Sequence, residues 1–392
     1  METTTFSKRT ATWTLLALAI SAFAIGITEF IAVGVMPMLV SAFDLKLSTA
    51  GLTVSVYAAG IMVGAPLLTS LTTGLPRKKL LLGVMGLFII GNGLTAIAPS
   101  FAVMLVGRVI AAFAHGLFMS TATVIAASVV SDDRRASAIA TMFTGLTVAT
   151  VTGVPLGTMI AQVASWRVAF LLIAAFGVLA LLGNLALVPS NLPQPTKTAR
   201  GGFKRMLTDH KVIAGLVITA LGYGASFPVY TYISAILAQL GFYASARVIV
   251  LLVYGIAVAI GNTLGGKWAN RKPLHALAWM FGADLLIMVV MPWGLSHLIS
   301  GLILIMLMGL FAFMNVPGLQ LFTMQAAEAS HPEDAPLASA LNIAAFNVGI
   351  MLGSTLGGKL LDAFGLWATP FGGVLFAALA LIITLGLARN EK

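Results

Sequence analysis

The sequence predicts an all-α membrane protein: twelve transmembrane helices in two parallel-related six-helix bundles. Three observations lead there. First, 59% of the 392 residues are hydrophobic and only 9% are charged, whereas soluble domains average roughly 45–50% and 25%. Second, apolar runs of the length needed to cross a bilayer, about 20 residues each, fill nearly the whole chain and give it a mean hydropathy of +1.02. Third, basic residues collect in alternate loops, as they do when one side faces the cytoplasm.

Taken in order, runs bounded by charge, Pro or Gly clusters place six spans near 13–37, 48–72, 79–98, 101–123, 136–162 and 165–188. Six more fall near 212–240, 246–266, 274–293, 297–325, 336–361 and 366–388. With this order, Lys8 and Arg9, Arg77 to Lys79, Arg134 and Arg135, the basic residues of 197–211, Lys267 to Lys272, and Arg389 with Lys392 share one side. Lys46, Arg167, Arg247 and Lys359 take the other, and Arg108 lies inside a span. Both termini are therefore expected in the cytoplasm, the protein being multi-pass in a bacterial inner (plasma) membrane. Lys8, Arg9, the apolar run and Ala22-Phe23-Ala24 also fit a cleavable signal peptide, but the run continues to Pro37, which favours a retained first span.

The formal net charge of +10 follows from this topology, so no nucleic-acid partner is expected. The partners that fit are a small-molecule substrate, protons and membrane lipids, with the chain acting as a monomer. No cysteine is present and the five histidines are scattered. Disulfides and thiolate metal sites are excluded, and no metal or cofactor is expected. The sequence has no Walker-type Gly-x-x-x-x-Gly-Lys-Ser/Thr, Gly-x-Ser-x-Gly or His-Glu-x-x-His, which argues against an enzyme. A receptor that reuses a transporter architecture is a further class, but it needs a signalling extension longer than tails of about twelve residues.

A polar stretch with Pro189, Pro193, Pro195 and paired glycines divides the spans six and six. It defines an N-terminal bundle at 1–190, a cytoplasmic linker at 191–211 that ends in a short surface helix around 203–209, and a C-terminal bundle at 212–392. The halves echo each other. Tyr57 and Gly64 recur as Tyr254 and Gly261, Ser137-Ala138 as Ser339-Ala340, and Gly157 with Trp166 as Gly358 with Trp367. Parallel six-span repeats are a transporter feature. Gly60/Gly64, Gly153/Gly157, Gly261/Gly265 and Gly349/Gly353/Gly357 allow close helix approach. They fall in spans 2, 5, 8 and 11, which are read either as ordinary packing helices or as the contacts along which the halves rock.

Several clusters carry a family likeness. They are Thr28-Glu29-Phe30, Gly34 and Pro37 in span 1; Arg108 with His115-Gly116 in span 4; and Gly145, Gly153, Pro155 and Gly157 in span 5, followed by Trp166-Arg167. On these residues the chain resembles the major facilitator superfamily in its twelve-span drug:proton antiporter branch. Within that branch it is similar to bacterial sugar-efflux and arabinose-exporter-like proteins and to chloramphenicol-resistance exporters. The resemblance implies a central cavity lined by spans 1, 4, 7 and 10, and gating at Arg77, Asn270, Arg271, Gly153, Pro155 and Gly157. The chain departs from the family pattern at Thr73 and Asn270, where acidic gating residues are usual, at Gly74, where an Arg is usual, and at Val154, where a Gly is usual. Proton antiport is weakened to that extent.

Ionisable groups inside a membrane are costly and point to function. Glu29 lies eight residues before Pro37 and Arg108 seven after Phe101, which at 1.5 Å per residue sets them about 12 and 10 Å from the same end of the bundle. Glu29 is the expected proton carrier: burial disfavours its charged form, a nearby Arg favours it, and substrate entry can tip the balance. His115, two turns from Arg108, completes a polar strip. Asp284 in span 9 either turns to a polar neighbour such as Asn315 or stays protonated. Tyr223 and Tyr230 in span 7, with Pro228 kinking that helix, and Asn315, Gln320 and Asn347 are the candidate substrate contacts. Such a lining suits an uncharged or amphipathic ligand. The expected function is secondary export of small organic molecules, sugars or amphipathic drugs, in exchange for protons and by alternating access; the alternative is a proton-independent facilitator or importer of a sugar-like solute.

Overall fold

A computed structural model describes residues 6–72, 74–131, 134–192, 202–269, 272–331 and 334–389. Among these residues the ordered elements are all helical, and twelve helices are long and apolar enough to cross a membrane. Spans 1 to 6 are Lys8–Phe43, Leu47–Leu68, Arg77–Ile97, Phe101–Ser128, Ala138–Val163 and Trp166–Leu187. Spans 7 to 12 are His210–Tyr230, Ala244–Ala269, Pro273–Gly294, Leu298–Ser330, Leu337–Phe364 and Leu366–Arg389. The expected helices are all present. Several run further than their apolar cores, because a helix continues into the interfacial region while its backbone can still bond to itself. Ser100 and Ser165 cap spans 4 and 6 by accepting from the N–H groups of Val103 and Val168, and Asp209 caps span 7 through Lys211 and Val212.

Contacts divide the chain into two compact units. The first is residues 1–32 with 60–197, and the second is residues 33–59 with 198–392. Each unit repeats one packing plan, visible in where its glycines sit. In the first unit, a side chain on Gly145 would meet the Ala19 carbonyl, one on Gly153 would meet Ile27 and one on Gly157 would meet Ile31, so span 5 lies tight against span 1. In the second, Gly349, Gly353 and Gly357 face the carbonyls of Ala220, Gly224 and Pro228, so span 11 lies tight against span 7. Gly60 and Gly64 bring span 2 onto Ala112 and Phe113 of span 4, as Gly261 and Gly265 bring span 8 onto Leu310 and Met314 of span 10. Gly177 seats span 6 on Phe88 of span 3, and Gly373 seats span 12 on Met288 of span 9. Every pair recurs six spans later. The glycines of these pairs in spans 2, 5, 8 and 11 thus serve close packing inside each unit, as the ordinary-packing reading expects. A lipid-like solvent supplies no hydrophobic drive between helices, so close backbone approach is what holds them.

Four spans are interrupted, span 2 by a turn at Gly51 between Leu47–Ala50 and Leu52–Leu71. Span 5 contains a π turn at Ala149–Gly153, immediately before Pro155. Proline lacks the N–H that an α-helix needs there, and the wider turn absorbs the mismatch. Span 7 stops at Gly224 and restarts at Phe227–Tyr230, with Pro228 in the first turn of the restart, as the expected kink requires. Span 10 breaks at Asn315, between Leu298–Met314 and Val316–Ser330, ahead of Pro317.

The end of the linker forms a short helix, Gly202–Met206. Its Met206 is fully buried with Val212, Ala326, Ala327, Ala338 and Leu341. Arg205 donates through Nε and Nη2 to Oδ2 of Asp334, both at 2.8 Å. The segment is therefore docked on the second unit, while Phe203 and Leu207 stay exposed.

The packing plan is checked by a pair of substitutions. Gly349→Leu meets backbone that cannot move aside and is expected to cost about 1–3 kcal/mol, seen as a lower thermal midpoint in detergent. Gly86→Ala in span 3, where the added methyl would meet nothing, is expected to leave the midpoint unchanged or slightly raised.

Candidate functional site

Span 4 carries Arg108, a guanidinium with no exposed surface. Its Nη1 donates to the Thr28 carbonyl at 2.6 Å and its Nη2 to the Glu29 carbonyl at 3.5 Å. The depth arithmetic set Arg108 level with this part of span 1, and the two helices do meet there. The Thr28 hydroxyl is shared between the Ala24 carbonyl and the Asn92 side-chain oxygen of span 3. Arg108 also lies 6.0 Å from the Phe170 ring centroid, within cation–π range. These contacts fix a cation that the hydrocarbon would otherwise expel.

Glu29 is within electrostatic reach of Arg108, and so is His115, two turns further along span 4 and almost fully buried. Glu29 itself is half-buried, although Thr28 and Phe30 on either side are sealed.

In the second unit an aromatic cluster centres on Tyr223. Its ring lies 4.9 Å from Phe346, 5.3 Å from Phe227 and 5.4 Å from Phe313, centroid to centroid. Tyr230 stacks on Tyr254 of span 8 at 5.2 Å with an 18° interplanar angle. Tyr223, Tyr230, Asn315 and Asn347 are all buried. Asn315 donates weakly to the Gly222 carbonyl at 3.5 Å, and Asn347 donates to Ile343. Gln320 sits in a different group. It donates to the Ser339 hydroxyl at 2.5 Å and accepts from Asn342 at 2.8 Å, while Asn342 accepts from Thr219 and Thr323. This network ties spans 7, 10 and 11 together away from the tyrosines. Sequence reasoning omitted Tyr254, Phe313 and Phe346 from the cluster. Tyr254 was visible as the repeat of Tyr57; the phenylalanines carried no signal in so apolar a chain.

Of the expected gating residues, Gly153 and Gly157 face span 1, Pro155 follows the π turn, and Arg77 opens span 3 half-buried. Asn270 and Arg271 lie outside the described residues. Among the described residues no group of three or more His, Asp or Glu side chains is arranged to hold a metal.

Residues 18–332 match the family model described as Major Facilitator Superfamily. The chain belongs to this superfamily. Among curated superfamily relatives, an uncharacterized transporter of this type from Bacillus subtilis (YtbD) is 51% identical over 96% of each chain. The Escherichia coli inner membrane transport protein YdhP is 37% identical over 96% of each, and a chloramphenicol resistance protein of Streptomyces lividans is 31% identical over 94% of each. A crystal structure of a bacterial homolog of the human lysosomal transporter Spinster matches with a TM-score of 0.79 at 17% identity over 98% of each chain. Superfamily membership makes this chain a multi-pass membrane transporter and not an enzyme.

Arg108→Ala removes the donor to Thr28 and leaves a buried carbonyl short of a partner, expected to cost about 1–3 kcal/mol. Arg108→Lys keeps the charge but not the two-pronged reach. We expect both to lower the thermal midpoint and abolish flux; an Arg108→Lys protein of wild-type flux would show that charge alone suffices.

Proposed function

We propose that the chain is a secondary exporter that moves small organic molecules, sugars or amphipathic drugs, out of the cell as protons return, by alternating access. The observation that carries this reading is the half-buried Glu29 held beside fully buried Arg108. A carboxylate deep in a membrane protein is tolerated where it works, and this one is only half-buried and has an adjacent cation that responds to its charge. Export fits the relative named for chloramphenicol resistance. The aromatic and amide groups of the second unit suit a ligand with little charge, with Tyr223, Tyr230, Asn315, Gln320 and Asn347 as its contacts.

On this reading the protein is a monomer of the bacterial inner membrane, in keeping with YdhP, and the basic loops place both termini in the cytoplasm. The repeats 1–190 and 212–392 move about the linker, with Gly153, Pro155 and Gly157 forming a flexible point and Arg77, Asn270 and Arg271 gating the cytoplasmic ends. One proton crossing 100 mV releases about 2.3 kcal/mol, more than the 1.4 kcal/mol of a tenfold gradient. Thr73 and Asn270, standing where acidic gating residues are usual, favour a second reading, a proton-independent facilitator or importer of a sugar-like solute.

Flux in proteoliposomes with and without an imposed proton gradient separates the two, once a ligand has been found by thermal shift. We expect the gradient to drive export and Glu29→Gln to abolish it; wild-type export by Glu29→Gln removes the proposed carrier. A second test uses residues 33–59, which pack with the second unit and set the Ser55 hydroxyl 3.3 Å from that of Thr355. The chain has no cysteine, so a Ser55→Cys/Thr355→Cys pair forms a single disulfide. Oxidation is expected to stop transport and reduction to restore it.

A further inference from the structure

Asp284 stands near the middle of span 9, ten residues from its end at Gly294, about 15 Å along the helix. Its side chain has no exposed surface, and neither carboxyl oxygen has a hydrogen-bond partner. Four further buried oxygens are equally without partners: the Asn184 Oδ1 of span 6, the Asn347 Oδ1 of span 11 and, on the spans next to Asp284 in the chain, the Tyr254 hydroxyl of span 8 and the Asn315 Oδ1 of span 10. Asp284, Tyr254 and Asn315 all belong to the second unit. Buried polar groups are nearly always paired, so three open ones on successive spans call for an occupant.

The three converge. Asp284 is one turn beyond Phe281, whose ring occupies the space beside Gly222, and Asn315 donates to the Gly222 carbonyl. Tyr254 is within electrostatic reach of Asp284, Tyr230 and Tyr223. Tyr254 is thus the titratable group of span 8 that faces the acid, with Tyr223 and Tyr230 of span 7 behind it. The Leu298–Met314 segment of span 10 has none, the Val316–Ser330 segment has Glu328 near its far end, and span 12 has Arg389 in its last turn. On span 9 itself His275 is nine residues away. A lone carboxylate among apolar residues and phenols, with no cation opposite it among the described residues, is prohibitively costly, whereas the neutral acid is not. The breaks at Ala225 in span 7 and Asn315 in span 10 flank this site, and interrupted helices are where transporters bind ions and change shape.

We propose that Asp284, with Tyr254 and Asn315, forms a second proton-binding site, separate from Glu29. A hydronium ion gives its proton to one carboxyl oxygen, which forms an O–H bond as the O–H bond of the hydronium breaks and water is left. When the two breaks admit water, the carboxyl O–H bond cleaves, its electron pair stays on the carboxylate and the proton leaves as hydronium. The site extends the proton-coupled reading but stands without Glu29.

Infrared spectra of the purified full chain test this directly. We expect the carbonyl band of a protonated carboxyl at neutral pH, kept in Glu29→Gln, lost in Asp284→Asn, and removed reversibly by alkaline titration. Tyr254→Phe is expected to displace the titration midpoint. Asn mimics the neutral acid, and if Asp284→Asn does not fold, Asp284→Glu must shift the band in frequency. A band indifferent to both substitutions overturns the proposal. So does one that survives every alkaline pH, which makes Asp284 a permanent structural acid, or one removed by sodium at fixed pH, which makes the occupant a metal cation. Wild-type export by Glu29→Gln would overturn the carrier of the previous section while leaving this band in place, so the two failures are distinguishable.

Discussion

Hydrocarbon offers a polar group nothing to bond to, and most of this molecule follows from that. A helix satisfies its own backbone, which is why helices do all the crossing. Side chains have no such internal remedy and must find partners on neighbouring helices. Arg108 finds the carbonyls of Thr28 and Glu29, Asn184 finds the Ser21 hydroxyl, and Asn342 gathers Thr219, Thr323 and Gln320. Each such bond also pins two or three helices at one depth, so the polar groups act as register marks in a core whose apolar contacts are interchangeable.

The glycine contacts supply the other half of that constraint. Helices with no solvent-driven attraction must come close enough for dispersion to hold them. The glycines of spans 5 and 11, spaced four or eight apart, present a smooth edge to spans 1 and 7. Spans 1 and 7 in turn carry Glu29 and the tyrosines. The packing spine and the chemistry therefore occupy the same two helices in each repeat, and a substitution in the spine reaches the site without touching it.

Much of this was legible in the sequence, because the strongest signals are compositional. Twelve apolar runs, the two-fold echo and the depth match of Glu29 with Arg108 needed only spacing and charge. Pro228 foretold the break in span 7. The break at Asn315 was harder, since Pro317 sits in the first turn of a fresh helix, where proline is tolerated, and nothing local distinguishes that from a kink. The π turn before Pro155 and the separation of Gln320 from the tyrosines depend on which way a helix faces, and span 10, apolar nearly all round, shows no face. The glycine pairs were legible as close-approach points, but not their partners, because spacing reports that a helix is touched and not by which neighbour.

The allegiance of residues 33–59 has a mechanical consequence. Span 1 runs unbroken from Lys8 to Phe43, yet its contacts change unit between Ala32 and Val33. Span 2 changes back between Ala59 and Gly60. Two of the three joints between the units thus fall inside helices, and the third in the linker. At the first two the backbone hydrogen-bond ladder of a single helix continues across the boundary, so the units share a covalent and hydrogen-bonded frame there and not a slack tether.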